Sequence, residues 1–213
     1  MSHLKLHGFF NSSASYRVRI ALGLKELEWE HVGVNIRTGA QNGVEYKALN
    51  PAGLVPTLEH GAVRITQSLA IIDYLERLRS TAQLIPADGP ERTRVLEIAS
   101  LIACDIHPLN NLRVLKYLTG PFELSEAQKK QWYLNWIEQG FDALEAWLPA
   151  QGNFCVGETP TLADCCLVPQ VANAERMNVD LSSYPRILRI NEHCLRLAAF
   201  ADAAPNRQPD FVA

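Results

Sequence analysis

Two serines, Ser12 and Ser13, stand directly before a stretch in which apolar residues recur at helical spacing toward Lys25. Serine before such a run is a helix-cap signal. The start of a helix also presents free backbone N–H groups and the positive end of the helix dipole. These groups, together with a donating serine hydroxyl, stabilise a thiolate and lower the pKa of its thiol. The pair therefore allows two interpretations, a plain helix cap or a thiol-activating site.

Two other short segments are candidates for a site. Gln67 and Ser68 stand where a strand-like segment passes into a helix-like one. The Ser68 hydroxyl and nearby N–H groups can hold a carboxylate at that helix start, or Ser68 can serve only as the cap. Val55 and Pro56 begin a further strand-like segment. Taken alone, Pro56 is an ordinary trans proline at a strand start.

The elements that must position these residues fall into two parts. The first part is predicted to contain strands at 4–9, 29–34, 55–59 and 62–66, with a helix that follows Ser13 and runs toward Lys25 and a second helix over 68–79. The order β-α-β followed by β-β-α predicts a right-handed crossover and a thioredoxin-like α/β domain over residues 1–82. Pro and Gly in residues 80–90 indicate a linker. An all-α domain is predicted over 90–213, with helices at 91–118, 125–148, 161–177 and 184–199.

Composition excludes several classes of protein. The 213 residues carry a formal net charge of -3 with scattered basic side chains, so nucleic acid and membrane surfaces are not expected partners. No apolar run approaches the roughly 20 residues that span a bilayer. The beginning of the chain does not resemble a signal peptide. Five cysteines, an odd number without a Cys-x-x-Cys pair, favour reduced thiols in a cytoplasmic protein and no metal site.

Two features of the predicted helical domain are interpreted as structural. Thr161 and Asp164 have the spacing of a capping box before an apolar helix. Cys165 and Cys166 are adjacent in that helix and so point away from each other, which favours a place in the core over redox chemistry.

Four segments carry a specific resemblance to a known family. They are residues 12–22 (SSASYRVRIAL), 50–58 (NPAGLVPTL), 67–76 (QSLAIIDYLE) and 105–112 (DIHPLNNL). Together, in order and along nearly the whole chain, they resemble the zeta class of glutathione transferases, which includes maleylacetoacetate and maleylpyruvate isomerases. The resemblance implies the cytosolic glutathione transferase fold, a homodimer and glutathione as cofactor.

The resemblance also implies roles for individual residues. Ser12 would activate the glutathione thiol with support from Ser13, and Pro56 would be cis. Arg176 would bind a substrate carboxylate, and Asp105 would reach glutathione bound to a partner subunit. The residues implied to contact or surround glutathione are Gln41, Val55, Pro56, Gln67, Ser68, Asp105, His107, Asn110 and Asn111. For His107, which precedes Pro108, a packed histidine at a helix kink is the alternative.

Two positions depart from the family pattern. Ala14 stands where zeta enzymes often have cysteine, so that thiol cannot assist here. Asn11 stands where arginine is common, and it can offer a substrate carboxylate only neutral hydrogen bonds. Arg176 is therefore the main cationic candidate for substrate binding, although a solvated arginine at a helix end is its alternative interpretation.

The function expected from the resemblance is glutathione-dependent cis–trans isomerisation of maleylacetoacetate or maleylpyruvate to the fumaryl isomer, in aromatic amino-acid or aromatic-acid catabolism. The implied mechanism is thiolate addition, rotation about the resulting single bond, and elimination. One alternative is a glutathione transferase or dehalogenase that consumes glutathione. The other is a binding module that reuses the fold without catalysis.

Overall fold

A computed structural model describes residues 3–212 and divides the chain into two compact units. The first unit comprises the chain up to Ile85 together with the segment from Leu195 onward, and the second comprises Pro86–Cys194. The predicted second domain, 90–213, therefore differs from the structure at its end. The physical reason is that the last segment accepts hydrogen bonds from two buried side chains of the first helix: Tyr16 donates to the Phe200 carbonyl at 3.1 Å and Arg19 donates to the Ala203 carbonyl at 2.9 Å.

The elements follow the predicted order. The strands are β1 Leu4–Gly8, β2 Trp29–Gly33, β3 Thr57–His60 and β4 Val63–Thr66. The helices are α1 Ser13–Leu24, α2 Val44–Leu49, α3 Ser68–Leu78, α4 Gly89–Ser100, α5 Leu112–Thr119, α6 Glu126–Trp147, α7 Leu162–Arg176, α8 Pro185–Leu195 and α9 Ala198–Ala201. Short 3₁₀ turns lie at Ala40–Asn42 and Pro205–Arg207, and a π-helical turn spans Leu101–Ile106.

The sheet of the first unit has the strand order β2-β1-β3-β4. β1 pairs parallel with β2, while β3 pairs antiparallel with both β1 and β4. Because two antiparallel pairings restore the direction, β1 and β4 run the same way and end at the same edge. The predicted parallel pair and antiparallel addition are confirmed, as is the thioredoxin-like fold. Helix α1 packs against α3, and Leu6, Ile20 and Leu58 are fully buried in the core.

Lys25, the residue at which α1 ends, is fully buried. Its ammonium lies 2.8 Å from Glu76 Oε1 and donates to the carbonyl oxygens of Arg79 and Thr81 at 2.8 and 3.2 Å. A buried charge is tolerated only when it is paired and hydrogen-bonded in this way. Lys25 therefore ties the end of α1 to the end of α3.

The single helix predicted over 91–118 is interrupted in the structure. Helix α4 passes into the π-helical turn, which closes with a hydrogen bond from His107 N–H to the Ile102 carbonyl at 2.9 Å. Pro108 lacks an N–H and cannot continue a helix interior. The chain then turns, and Asn111 caps α5 by accepting the Arg113 N–H at 3.1 Å. The backbone at His107 and Pro108 therefore interrupts the helix, as the helix-kink alternative for His107 predicted.

Helix α7 begins with the predicted capping box. The Asp164 carboxylate accepts the Thr161 N–H and hydroxyl at 2.8 and 2.9 Å, and its other oxygen accepts the Cys155 N–H at 2.8 Å. Burial raises the pKa of the Asp164 carboxyl despite these hydrogen bonds. Cys165 and Cys166 are fully buried, and burial holds the pKa of the Cys165 thiol well above its usual range. The expectation of core cysteines is confirmed.

Helix α6 passes so close to the π-helical turn that one position has no room for a methyl group. A Cβ at Gly140 would lie 2.2 Å from Ile106 Cδ1, and Ile106 is buried. We expect Gly140→Ala to lower the free energy of unfolding by about 1–3 kcal/mol through overpacking. This loss should appear in urea denaturation although alanine favours helices by about 1 kcal/mol.

A double-mutant cycle tests whether the contact is the cause. Ile106→Ala removes both clashing atoms, so Gly140→Ala should cost less in that background than in the wild type. Equal costs in the two backgrounds, or an undiminished stability of Gly140→Ala, would contradict the steric explanation.

Candidate glutathione site

Three of the predicted segments meet at one edge of the sheet. His7 near the end of β1, Thr57 at the start of β3 and Thr66 at the end of β4 are register partners across the three strands. The chain therefore leaves β1, enters β3 and leaves β4 at the same edge. The segments attached there are residues 9–13, 55–56 and 67–68, which contain the predicted Asn11, Ser12, Ser13, Val55, Pro56, Gln67 and Ser68.

Ser12 is the N-cap of α1, and its hydroxyl oxygen accepts the Ser15 N–H at 3.2 Å. A hydroxyl has one hydrogen to donate as well as lone pairs to accept with. Capping therefore uses a lone pair of the Ser12 hydroxyl oxygen, and the hydroxyl hydrogen is still able to donate to a ligand. Ser13 is the first residue of α1 and is buried, so the first helical turn contributes N–H groups at the same point.

The turn before β3 has its own hydrogen bonds. The Tyr46 hydroxyl donates to the Leu54 carbonyl at 2.7 Å, and Asn50 Nδ2 donates to the same oxygen at 2.7 Å. The Val55–Pro56 peptide bond is cis, as the resemblance implied. Since β3 begins at Thr57, Val55 lies outside the sheet ladder.

Gln67 has a backbone φ of 71° and directly precedes α3. A non-glycine residue in this left-handed region is uncommon and concentrates at ligand-binding sites. Ser68, the first residue of α3, is buried, and its hydroxyl oxygen accepts a hydrogen bond from Arg17 Nη1 at 3.3 Å. A positive charge and a helix N-terminus therefore coincide at Ser68, which is an arrangement suited to a carboxylate.

Arg17 is a residue for which the sequence interpretation proposed no role. It lies in α1 among buried apolar residues and is itself 1% exposed. A signal was present, because an arginine in a helix face that is otherwise apolar must have partners when buried. Arg17 links the start of α3 to α1 and places a cation next to Ser68.

Gln41 lies in the 3₁₀ turn Ala40–Asn42, beside the segment that leads to Val55. A Cβ at Gly53 would lie 3.3 Å from the Gln41 carbonyl oxygen, so the two backbones are in close approach. The side-chain oxygen of Gln41 is buried and has no hydrogen-bond partner among residues 3–212. A buried acceptor in this condition fits a ligand that brings an N–H group.

The second unit contains the remaining predicted site residues. Asp105 is exposed on the π-helical turn, and His107 follows it at half-buried depth. Asn110 is buried and donates through Nδ2 to the Tyr133 carbonyl at 3.0 Å. Asn111 caps α5. Both asparagines therefore form hydrogen bonds within the second unit.

Arg176 ends α7 and donates a short hydrogen bond to Asn173 Oδ1. Its charge also acts on Tyr133: burial raises the pKa of the Tyr133 hydroxyl, and Arg176 opposes that rise. Tyr133 thus contacts Asn110 through its backbone and is coupled to Arg176 through its hydroxyl. It is a second residue for which the sequence interpretation proposed no role, and its regular place in α6 offered no signal.

Residues 3–212 were found to contain neither a membrane-spanning helix nor a metal-binding cluster. No helix there is both long and apolar enough to cross a bilayer. No cluster of three or more His, Cys, Asp or Glu side chains in that range could hold a metal ion.

Comparison with known proteins places the chain in a family. The glutathione S-transferase N-terminal domain family matches residues 11–78, and the C-terminal domain family matches residues 123–191. The chain is 46% identical to a probable maleylacetoacetate isomerase of Vibrio cholerae, with 99% of each chain covered.

Two solved structures share the fold over almost their entire length. The holo structure of maleylpyruvate isomerase, a bacterial zeta-class enzyme, has a TM-score of 0.95 and 46% identity, covering 98% of this chain and 100% of that one. A maleylacetoacetate isomerase of Methylobacterium extorquens with bound malonate and glutathione has a TM-score of 0.94 and 37% identity, with the same coverage. The chain therefore belongs to the glutathione transferase family, in its zeta class of maleylacetoacetate and maleylpyruvate isomerases.

Proposed function

We propose that this protein catalyses the glutathione-dependent cis–trans isomerisation of maleylacetoacetate or maleylpyruvate. The observation that carries the proposal is the row of register partners His7, Thr57 and Thr66, which brings the Ser12, Val55 and Ser68 segments to one edge of the sheet. The similar isomerases, matched along the full chain, support the choice of reaction. We further propose a cytoplasmic homodimer that acts in aromatic amino-acid or aromatic-acid catabolism.

The residues present fit glutathione as the cofactor. The Ser68 hydroxyl, with Arg17 next to it, would hold the γ-glutamyl carboxylate at the start of α3. Val55 would pair with the peptide backbone, and the unpartnered oxygen of Gln41 would accept an N–H group. By the family resemblance, Asp105 would reach glutathione bound to a partner subunit, and His107, Asn110 and Asn111 would lie near the active-site cleft.

Bound glutathione would supply a thiolate, which adds to the cis double bond and, after rotation about the resulting single bond, is eliminated to leave the trans double bond. The Ser12 hydroxyl would donate to the sulfur, and the first N–H groups of α1 would add the positive end of the helix dipole. Both interactions favour the thiolate, whose thiol otherwise has a pKa of roughly 8.5. Arg176 would hold a substrate carboxylate through its guanidinium and so fix the geometry of attack.

A turnover assay that follows free thiol tests the reaction type. Isomerisation should form the fumaryl product while the concentration of free thiol stays constant. Conjugation or dehalogenation would consume one thiol for each product molecule. That second function is kept as the alternative because Asn11 replaces an arginine common in the family. Failure to bind glutathione resin would contradict the proposal. It would favour the third interpretation, a module that reuses the fold to bind another partner without catalysis.

Ser68 provides a separate test of cofactor binding. Ser68→Ala should weaken glutathione binding by about 1–3 kcal/mol, because a hydrogen bond to a charged group is lost. Calorimetry measures this directly. Ser100→Ala, at an exposed position that ends α4, is the matched control and should leave the affinity unchanged. Equal affinities of wild type and Ser68→Ala would remove Ser68 from the proposed site.

A further inference from the structure

A carboxylate from the far end of the chain holds the turn between β1 and α1. Asp210 Oδ2 accepts the Phe10 N–H at 2.9 Å, across 200 positions of sequence. The turn itself is closed by a hydrogen bond from the Ser12 N–H to the Phe9 carbonyl at 3.0 Å. Asp210 therefore fixes a residue that lies between the end of β1 and Ser12.

Asp210 is itself held in place. Its other oxygen, Oδ1, lies 2.8 Å from His31 Nε2, and the two side chains are 19% and 10% exposed. A Cβ at Gly33 would lie 3.2 Å from the Asp210 Cβ, so the backbone at the end of β2 packs against this side chain. The neighbouring Phe211 ring meets the Phe10 ring edge-on, with centroids 5.3 Å apart. The Asp210 carboxylate is therefore held in one position by contacts with His31, Gly33 and the neighbouring aromatic pair.

The same turn is held from inside the unit by Arg19. This arginine is 2% exposed and donates to the Phe10 carbonyl at 3.0 Å and to the Ala203 carbonyl at 2.9 Å. The N–H and the C=O of Phe10 are therefore bound by two different side chains, Asp210 and Arg19. Asp210 and the Ala203 carbonyl that Arg19 also binds both belong to the chain segment that follows α8.

We propose that Asp210 is a positioning residue for thiol activation, which acts by fixing the Phe9–Ser12 turn and so aiming the Ser12 hydroxyl at the sulfur. The inference rests on the proposed role of Ser12. Its physical basis is that hydrogen bonding to a reacting atom is sensitive to small displacements. When the Phe10 N–H loses its acceptor, the turn must shift to find another, and the next hydrogen bond along the chain is that of Ser12.

Titration of the bound glutathione thiol by its thiolate absorbance is the test, because it requires cofactor binding and no isomerase activity. Asp210→Ala should raise the pKa of the bound thiol by about 0.5–1 pH unit and lower kcat about 10-fold, with little change in the Kd for glutathione. Asp210→Asn retains an acceptor for the Phe10 N–H and a donor for neutral His31, so it should titrate like the wild type.

Two further variants separate positioning from general destabilisation. Asp180→Ala removes another carboxylate that accepts a backbone N–H, from Ser182 at 2.9 Å, and should leave the bound thiol pKa unchanged. Gly33→Ala keeps the carboxylate, but the added methyl group would crowd the Asp210 side chain and displace it slightly. A smaller rise in the thiol pKa is therefore expected. This variant also provides the test if Asp210→Ala fails to fold. Bound thiols that titrate identically in wild type, Asp210→Ala and Gly33→Ala would overturn the proposal, whether or not the wild type isomerises either acid.

Discussion

Replacing Ser12 with glycine is expected to raise the pKa of bound glutathione by about 1–2 pH units, since a hydrogen bond to a charged group contributes about 1.5–3 kcal/mol. Turnover should fall by about 100-fold, as when one donor to a developing anion is removed. The affinity for glutathione should change much less, because the partner of Ser12 is the sulfur and not the peptide. Thiolate absorbance and steady-state kinetics measure these quantities.

Glycine is the informative replacement because Ser12 also caps α1. Glycine weakens a cap by only a few tenths of a kcal/mol, whereas alanine costs about 0.5–2 kcal/mol. Ser12→Thr keeps both the cap and the hydroxyl and should stay active. Ser125→Ala removes the cap of α6 and serves as the control for helix capping alone. An unshifted thiol in Ser12→Gly would leave Ser12 with its capping role only.

The second large effect is expected at Arg176. Arg176→Ala should raise KM for maleylacetoacetate or maleylpyruvate by about 10- to 100-fold, the range that corresponds to losing a charged hydrogen bond. Arg176→Lys keeps the charge but loses the planar fork and should fall between alanine and the wild type. Glutathione affinity should stay close to that of the wild type. Arg113→Ala, at an exposed arginine of α5, is the matched control.

Asn11 gives the reverse test of the same electrostatic argument. Asn11→Arg restores the cation common in the family and should lower KM for these acids if the asparagine merely weakens substrate binding. A wild type that isomerises neither acid, yet conjugates or dehalogenates a neutral electrophile, would contradict the isomerase function. In that case the KM for the neutral electrophile should not change in Arg176→Ala, because that substrate has no carboxylate for the arginine to bind.

The first unit could be predicted from local patterns. The alternating strand before Ser12, the apolar helix after it and the serine caps are local signals, and the predicted elements formed, although the strand predicted over 55–59 begins only at Thr57. Helix α2 was not predicted: its six residues are too few for a periodic pattern, and they are stabilised by tertiary contacts such as that of the Tyr46 hydroxyl with Leu54. The family, predicted from four motifs, is confirmed.

Other features depend on contacts between distant residues, which local patterns do not contain. The π-helical turn before His107 includes Ile106, which closely approaches Gly140 of the distant helix α6. Buried Arg17 and its hydrogen bond to Ser68 require the packing of α1 on α3. The capping role of Ser12 and its proposed activating role both fit the structure, because the hydroxyl can accept and donate at the same time.

The return of the chain from Leu195 onward to the first unit has a consequence for synthesis on the ribosome. The strands and helices of that unit emerge first, but the carbonyl oxygens that accept from Tyr16 and Arg19 belong to Phe200 and Ala203. A nascent chain that ends at residue 194 therefore contains the Arg19 guanidinium without its Ala203 acceptor. Domains generally fold in the order in which they are translated. Here the unit that is translated first is completed only after all residues of the second unit, up to Cys194, have been added.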